Sequence, residues 1–265
     1  MDNYVENYEY KGYQIEVLYD ECPDSPRSWD NVFTVACWHG RYGKLGDIES
    51  GQYEKPDDYL RELVGKFVPQ SDVIKWAHTN GKKKEDTIRL EYNRSTREWD
   101  LSAYCRYGVP GLFMSDPYWE VQGSFPAKED AYHDILYIIH RDACMELLEK
   151  YLYMVPISVY EHSAIKIYAG SPCCRFDSGQ VGFAYIVRKD YANQENFEEW
   201  ADKVIEEECE IYTRYLNGWV YGLVVTKLDE EGNKTTEEVE NCWGFYEDSD
   251  KVEEYAREMI DNLVA

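Results

Sequence analysis

An α+β fold, with mainly antiparallel sheets and three or four amphipathic helices, is the class this sequence predicts. Three observations lead to it. Short segments alternate apolar and polar residues. Longer stretches place apolar residues at three- and four-residue spacing. The helical stretches are segregated between groups of strands rather than alternating strictly with them.

Taken in order, Tyr13, Ile15, Val17 and Tyr19 alternate with Gln14, Glu16 and Leu18, a half-buried strand. Cys22-Pro23-Asp24-Ser25-Pro26 breaks it, and a second strand is expected over Val32 to His39. Gly40, Gly43 and Gly46 mark a loop. Pro56-Asp57-Asp58 starts a helix, since Pro suits the first turn and the acids oppose the positive end of the dipole. Tyr59, Leu60, Leu63, Val64 and Phe67 give that helix an apolar side. Asn80-Gly81-Lys82-Lys83-Lys84 reads as a turn-prone link. Thr87 to Tyr92 and Glu98 to Tyr104 read as a hairpin, and Gly108 to Phe125 as an irregular connection.

A single helix is expected from about Lys128 to Leu152, on the stripe Ile135, Leu136, Ile139, Ala143, Leu147 and Leu148. A single strand follows, with Ile157, Val159, Ser163, Ile165 and Ile167 on one parity. After a loop around Pro172 to Gly179 comes a strand over Gln180 to Val187. A helix from about Glu195 to Leu216 is expected to bury Phe197, Trp200, Ala201, Val204, Ile205, Ile211, Tyr212 and Tyr215 and to stop at Asn217-Gly218. Strands are expected over Trp219 to Leu228 and Glu237 to Tyr246. The last helix starts near Asp250 as its cap, with Glu253 three residues on. Arg27-Ser28-Trp29-Asp30 and Arg175-Phe176-Asp177 each lie between two strands, where an Arg–Asp or Asp–backbone bond is expected to pin the loop.

The chain groups into an N-terminal αβ part (1–78), a hairpin-containing insertion (79–125) and an acidic C-terminal αβ part (126–265); the first and last parts are able to form one compact unit. Its 265 residues suffice for one large domain or two small ones. A hydrophobic content of 44% excludes general disorder. Fifty-two acidic residues against 28 basic give a net charge of −24, which argues against direct binding of nucleic acid or an anionic membrane. No apolar run reaches the about 18 residues of a membrane span, and Met1-Asp2-Asn3-Tyr4 does not read as a secretory signal. Eight cysteines are too sparse for a disulfide scaffold, so a cytoplasmic protein with reduced thiols is expected.

The negative charge is uneven. From Asp190 to Ala265 there are 22 acidic and 6 basic residues, a net of −16; the first 189 residues carry 30 and 22, a net of −8. Glu198, Glu199, Asp202, Glu206, Glu207 and Glu210 are expected to form an outward acidic face on the 195–216 helix. Glu206-Glu207-Glu208 cannot all share one face, because successive residues turn by about 100°. Carboxylates at helical spacing, repeated every about 5–6 Å, approach a phosphate pattern. An ordinary solvated helix face gives the same composition. The 25 tyrosines suit a protein-binding surface, and many also fall on core faces.

For catalysis, the richest segment is Glu161-His162-Ser163 followed by Cys173, Cys174, Asp177 and Ser178. A nucleophilic Cys173 or Cys174, His162 as base and Asp177 to orient it have the right side chains for a hydrolase or transferase. No nucleophile-elbow pattern surrounds them. Cys37 and His39 share a strand face, but a structural zinc site needs two further ligands, and His78, His133 and His140 stand alone. Gly40-Arg41-Tyr42-Gly43-Lys44-Leu45-Gly46-Asp47 lacks phosphate-loop spacing. No metal or other cofactor is expected. Lys82-Lys83-Lys84 reads as a solvated basic run.

Three stretches are similar together to one family: Pro26-Arg27-Ser28-Trp29-Asp30-Asn31 with Cys37-Trp38-His39 and Leu45-Gly46-Asp47; Tyr160-Glu161-His162-Ser163 with Phe176-Asp177-Ser178-Gly179-Gln180-Val181-Gly182-Phe183; and Cys242-Trp243-Gly244-Phe245-Tyr246. They resemble a largely uncharacterised family of acidic proteins carried by bacteriophages and conjugative elements. Asp-Ser-Gly-Gln-Val-Gly is the most specific part. The resemblance implies a setting and no catalytic residues: small acidic proteins of mobile elements often block host defence, some by imitating DNA. The expected function is therefore an anti-defence (antirestriction) protein of the host cytoplasm. Its partner would be a host defence protein or nuclease complex with a basic surface; self-association stays open. The alternatives are the Cys–His enzyme and a phage structural or assembly protein.

Overall fold

The computed structural model describes residues 4–41, 45–48, 53, 55–79, 88–105 and 118–265. The expectations for Gly43, for Asn80 to Lys84 and for 108–117 lie outside them. The fold is α+β. Among the described residues there are eleven strands and six α-helices, in three sheets. The chain divides into two compact units that interleave along the sequence. One comprises Met1–Phe33, Pro156–Val181 and Glu199–Ala265, the other Thr34–Val155 and Gly182–Glu198. This grouping cuts the chain differently from the three consecutive parts 1–78, 79–125 and 126–265.

In the first unit, β1 (Tyr4–Tyr10), β2 (Tyr13–Tyr19), β10 (Tyr221–Leu228) and β11 (Lys234–Phe245) form one sheet in the order β1-β2-β10-β11. β1 places Tyr8 and Tyr10 on the same face as Glu6, with Asn7 and Glu9 on the other, and a register shift between Tyr4 and Glu6 interrupts the alternation. The link Lys11-Gly12, with φ of 49° and 82°, is the two-residue hairpin that makes β1 pair with β2. Ile15 faces Val225 and Val17 faces Leu223 across β2 and β10. These residues bury completely against Val252, Ala256 and Ile260 of α6 (Ser249–Val264). The cap of α6 is Asp248, not Asp250; the Lys251 amide donates to its carbonyl at 3.0 Å, and Asp250 lies within the first turn. With the cap at Asp248, the third helical position is Lys251, so Glu253 falls outside the capping-box position and pairs instead with Arg257 at 2.7 Å.

The expected strand through 157–168 is a hairpin: β7 (Leu152–Glu161) and β8 (Ile165–Ala169) pair antiparallel, with Val159 facing Ile167 and Glu161 facing Ile165. Odd residues pair with odd residues, so the apolar parity survives the turn and hides it from the sequence. Together with β3 (Thr34–Cys37) and β9 (Ser178–Val187) they make a sheet of order β3-β9-β7-β8. Val35, Ala36 and Cys37 pair with Ala184, Phe183 and Gly182. A Cβ on Gly182 would lie 1.9 Å from the Ala36 carbonyl oxygen, so this last glycine of the Asp-Ser-Gly-Gln-Val-Gly segment permits close strand contact.

The second unit is helix-rich. α1 (Pro56–Phe67) and α2 (Gln70–Thr79) bury Leu60, Leu63, Val64, Val73 and Ala77. The hairpin β4 (Ile88–Asn93) and β5 (Glu98–Cys105) is as expected, but β6 (Tyr118–Phe125) extends it into a three-stranded sheet where an irregular connection was expected. The side chains of β6 are all exposed or half-buried, which leaves no apolar alternation to read.

The single helix over 128–152 is broken. A 3-10 turn at Lys128–Ala131 leads into α3 (Tyr132–Ile138) and then α4 (Arg141–Leu148), and Leu152 opens β7. Ile139 and His140 are extended, with ψ of 135° and 161°. The Arg61 Nε donates to the Ile139 carbonyl at 3.1 Å, a partner that a continuous helix would have supplied itself. Ile135, Ile139, Ala143 and Leu147 stay buried across the break, so the stripe gave no sign of it. This break, with α2, raises the helices from the expected three or four to six.

Candidate functional site

α5 (Phe197–Asn217) carries all six carboxylates of the expected acidic face. It buries Ala201, Ile205, Cys209 and Tyr212. Gly218, at φ +71°, stops it: the Trp219 amide donates to the Arg214 carbonyl at 2.9 Å. Two polar residues then fasten its last turns to β8, which among the described residues is the last strand of its sheet. The Ile165 amide donates to Asn217 Oδ1 at 3.0 Å, Asn217 Nδ2 returns a bond to the Ile165 carbonyl at 2.7 Å, and the Ile167 amide donates to Thr213 Oγ1 at 3.0 Å. The helix thereby satisfies a strand edge that would otherwise be open, and its outer face is held in a fixed direction.

One helix carboxylate points inward. Glu208 Oε1 accepts from the amides of Val32 and Phe33 at 2.9 and 3.2 Å, and Oε2 meets Arg27 at 3.2 Å. Arg27 also donates to the Phe33 carbonyl at 2.7 Å and lies over the Tyr212 ring. The Arg27 and Glu208 side chains are only 6% and 11% exposed. Burial raises the Glu208 pKa, and the two amides and Arg27 only partly oppose it. Arg27 thus pins its loop through Glu208 and Phe33 rather than through Asp30. In the second Arg–aromatic–Asp segment, the backbone does the pinning: the Glu161 amide donates to the Asp177 carbonyl at 2.8 Å.

Glu198, Glu199, Asp202, Glu206, Glu207 and Glu210 are all exposed, as expected. Glu198 pairs with Arg188 at 3.2 Å, Glu207 with Lys203 at 3.7 Å and Glu210 with Arg214 at 3.1 Å. At these exposures such pairs contribute little to stability. At about 100° per residue the six carboxylates spread over about half of the helix circumference. The row Glu199, Asp202, Glu206, Glu210 rises about 16 Å, one charge per about 5.5 Å, against one per about 3.4 Å along a DNA strand. A single row is therefore sparser than a phosphate backbone.

The charge is concentrated at a larger scale. The unit containing Glu199–Ala265 holds 29 acidic and 10 basic residues, a net of −19, and the other holds 23 and 18, a net of −5.

Beside the acidic face lies a cavity of about 630 Å³, lined among others by Trp29, Glu207, Arg214, Tyr246, Asp248 and Lys251. Sequence reasoning missed it. The Trp29 and Tyr246 rings meet edge-on, 4.9 Å apart, and the Tyr246 hydroxyl donates to the Asp24 carbonyl. Arg214 bridges Glu210 and Asp248, the latter at 2.8 Å. That hydrogen bond holds the Asp248 carboxyl below its usual range. In the sequence, Trp29 and Tyr246 lie in the stretches Pro26-Arg27-Ser28-Trp29-Asp30-Asn31 and Cys242-Trp243-Gly244-Phe245-Tyr246, far apart along the chain.

The Cys–His set is not assembled as a catalytic relay. His162 is exposed; its amide donates to the Ala164 carbonyl, its ring lies 6.5 Å from that of Tyr160, and it makes no hydrogen bond to Cys173, Cys174 or Asp177. The cysteines have other partners: the Cys173 amide donates to the Tyr168 hydroxyl at 2.8 Å, the Cys174 amide to Ser178 Oγ at 2.8 Å, and the Asp177 amide to Cys174 Sγ at 3.2 Å. The hairpin turn explains the failure, because it sends His162 to solvent at the tip of β7. Cys37 is buried, and among the described residues no three His, Cys, Asp or Glu side chains converge as a metal-binding group. Among them, no helix is long and apolar enough to cross a membrane, and the seven cysteines whose side chains are described form no disulfide. No protein-family model, curated protein or solved structure matches the chain.

Proposed function

We propose that this chain is a binding protein that inhibits a host nucleic-acid-dependent defence complex, in the host cytoplasm, by placing its acidic unit on the complex's basic nucleic-acid-binding surface. The observation that carries the reading is the net charge of −19 on one compact unit, whose exposed helix α5 is anchored through Asn217 and Thr213. Fixed carboxylates meet lysines and arginines without the ordering cost that a flexible acidic tail would carry. Their summed field speeds association, and salt weakens it. The row density on α5 favours broad electrostatic competition over a phosphate-by-phosphate copy of DNA. The anti-defence setting rests on the resemblance to proteins of phages and conjugative elements.

The test is capture from a lysate of a bacterial host at low and high salt, followed by competition with duplex DNA. A nuclease or other DNA-dependent defence complex should be retained, released by salt and displaced by DNA. The triple variant Glu199→Lys, Asp202→Lys, Glu206→Lys should lose it, whereas Glu129→Lys, Asp134→Lys, reversing exposed charges of the other unit, should not. Equal retention by both variants would contradict the proposal.

A further inference from the structure

We propose that the cavity beside Trp29 receives an arginine side chain, presented by the basic surface that the acidic unit binds. The inference deepens the binding reading and rests on it for the source of the arginine. Every residue that lines the cavity belongs to the first compact unit. Its volume of about 630 Å³ lies within the about 300–1,000 Å³ of ligand cavities, so an arginine enters together with the residues that flank it.

The aromatic wall is fixed in place and yet open to solvent. Trp29 is 42% exposed. Its backbone is held from both sides: the Trp29 amide donates to the Pro26 carbonyl at 3.3 Å, and the amide and Nδ2 of Asn31 donate to the Trp29 carbonyl at 3.0 and 3.1 Å. Arg27, two residues earlier, is clamped to Glu208 of α5. On the other wall, Gly244 turns the end of β11 with a φ of +83°, and the Tyr246 hydroxyl is tied to the Asp24 carbonyl. The two rings meet at 84°, which makes a corner rather than a closed stack. A flat guanidinium can lie along one side of such a corner, drawn by the negative face of the ring.

The charges around the corner select a cation. Glu207, Glu210, Glu247 and Asp248 line the cavity against Arg214 and Lys251, four negative charges to two positive. Arg214 spans Glu210 and Asp248 at 3.1 and 2.8 Å, so those two carboxylates already hold a guanidinium. Glu207 has only its exposed contact with Lys203 at 3.7 Å, and Glu247 has no ion pair among the described residues. These two remain for the ligand. Arginine suits them better than lysine: its planar fork stacks on a ring while bonding a carboxylate, whereas an ammonium is a compact, strongly hydrated charge. Lys251 opposes entry.

The experiment titrates the full chain, labelled with nitrogen-15, with the peptide acetyl-Gly-Arg-Gly-amide and with its lysine and citrulline counterparts. Indole N–H signals are followed, that of Trp29 being identified by its loss in Trp29→Phe. The Trp29 signal should shift saturably. Its dissociation constant should be at least about threefold lower for arginine than for lysine, and about tenfold lower than for citrulline, which keeps the shape without the charge. Glu207→Gln with Glu247→Gln should weaken arginine binding at least about threefold, and Lys251→Gln should strengthen it, with unfolding midpoints unchanged. Shifts centred on another indole, equal binding of the arginine and lysine peptides, or indifference to the carboxylate pair would overturn the proposal. In the lysate capture, Trp29→Ala should release the complex at lower salt than the native chain, and unchanged release would overturn it as well. The peptide titration needs no partner, so its failure leaves the capture result standing. A lysate that yields no complex, with the peptide still bound at Trp29, would instead overturn the binding reading and the source assigned to the arginine.

Discussion

Replacing Glu208 by alanine removes three interactions at once. The amides of Val32 and Phe33 lose their acceptor, and Arg27, 6% exposed, loses its carboxylate. Breaking a buried ion pair from one side costs about 3–5 kcal/mol, and a stranded buried amide about 1–3 kcal/mol. These losses overlap, and Glu208 itself no longer has to be desolvated, so the net expectation is about 3–4 kcal/mol. With a urea slope of about 2–3 kcal/mol/M, the unfolding midpoint should fall by about 1.5 M. The tryptophans give the fluorescence signal, and far-ultraviolet circular dichroism gives the helix signal. Adding Arg27→Met to Glu208→Ala should cost less than the sum of the two single changes, because both remove the same Arg27–Glu208 contact. A single-variant cost below about 1 kcal/mol, or strictly additive costs in the pair, would refute the claim that Glu208 and Arg27 hold the 27–33 segment to α5.

Further outcomes follow from the same contacts. Glu208 has a raised pKa in the folded chain, so the folded state keeps its proton longer than the unfolded chain does, and stability from this group falls as pH rises from its ordinary 4.5 through the raised value. The stability gap between the native chain and Glu208→Gln, read from urea midpoints between pH 4 and 7, should therefore narrow with rising pH; widening would contradict the assignment. Asp248 has the opposite sign: its lowered pKa gives stability above about 3.8 that is lost as pH falls further, and Arg214→Met should remove that acid-limb loss in an acid titration followed by fluorescence. Gly182→Ala puts a methyl group against the Ala36 carbonyl, which cannot swing aside, and should cost about 3 kcal/mol or more in the same urea assay. Asn217→Ala should cost about 1–3 kcal/mol, and hydrogen exchange at the Ile165 amide should accelerate more than at the Leu223 amide.

What the sequence made legible was whatever one element determines alone. The 3.6-residue stripe of α5, the alternation of β2 and the glycine after Asn217 each carry their own signal. What stayed hidden depends on two segments together. The break between α3 and α4 leans on Arg61 from another helix. The β7–β8 turn preserves parity, so alternation continues through it. β1 is marked only by its Lys11-Gly12 link, a signal open to reading. The outward position of the six carboxylates followed from helical geometry. The inward turn of Glu208 did not, because its partners lie about 180 residues earlier in the chain. Likewise the inventory of His162, Cys173 and Asp177 fitted a relay, while their hydrogen bonds go elsewhere.

The most direct test is titration calorimetry of the purified chain against the captured defence complex at two ionic strengths. Binding should weaken steeply with salt, and the Glu199→Lys, Asp202→Lys, Glu206→Lys variant should lose both affinity and most of that salt dependence while keeping its unfolding midpoint. Unchanged affinity and salt slope in that variant would show that the acidic unit is a solvated surface and not the part that binds.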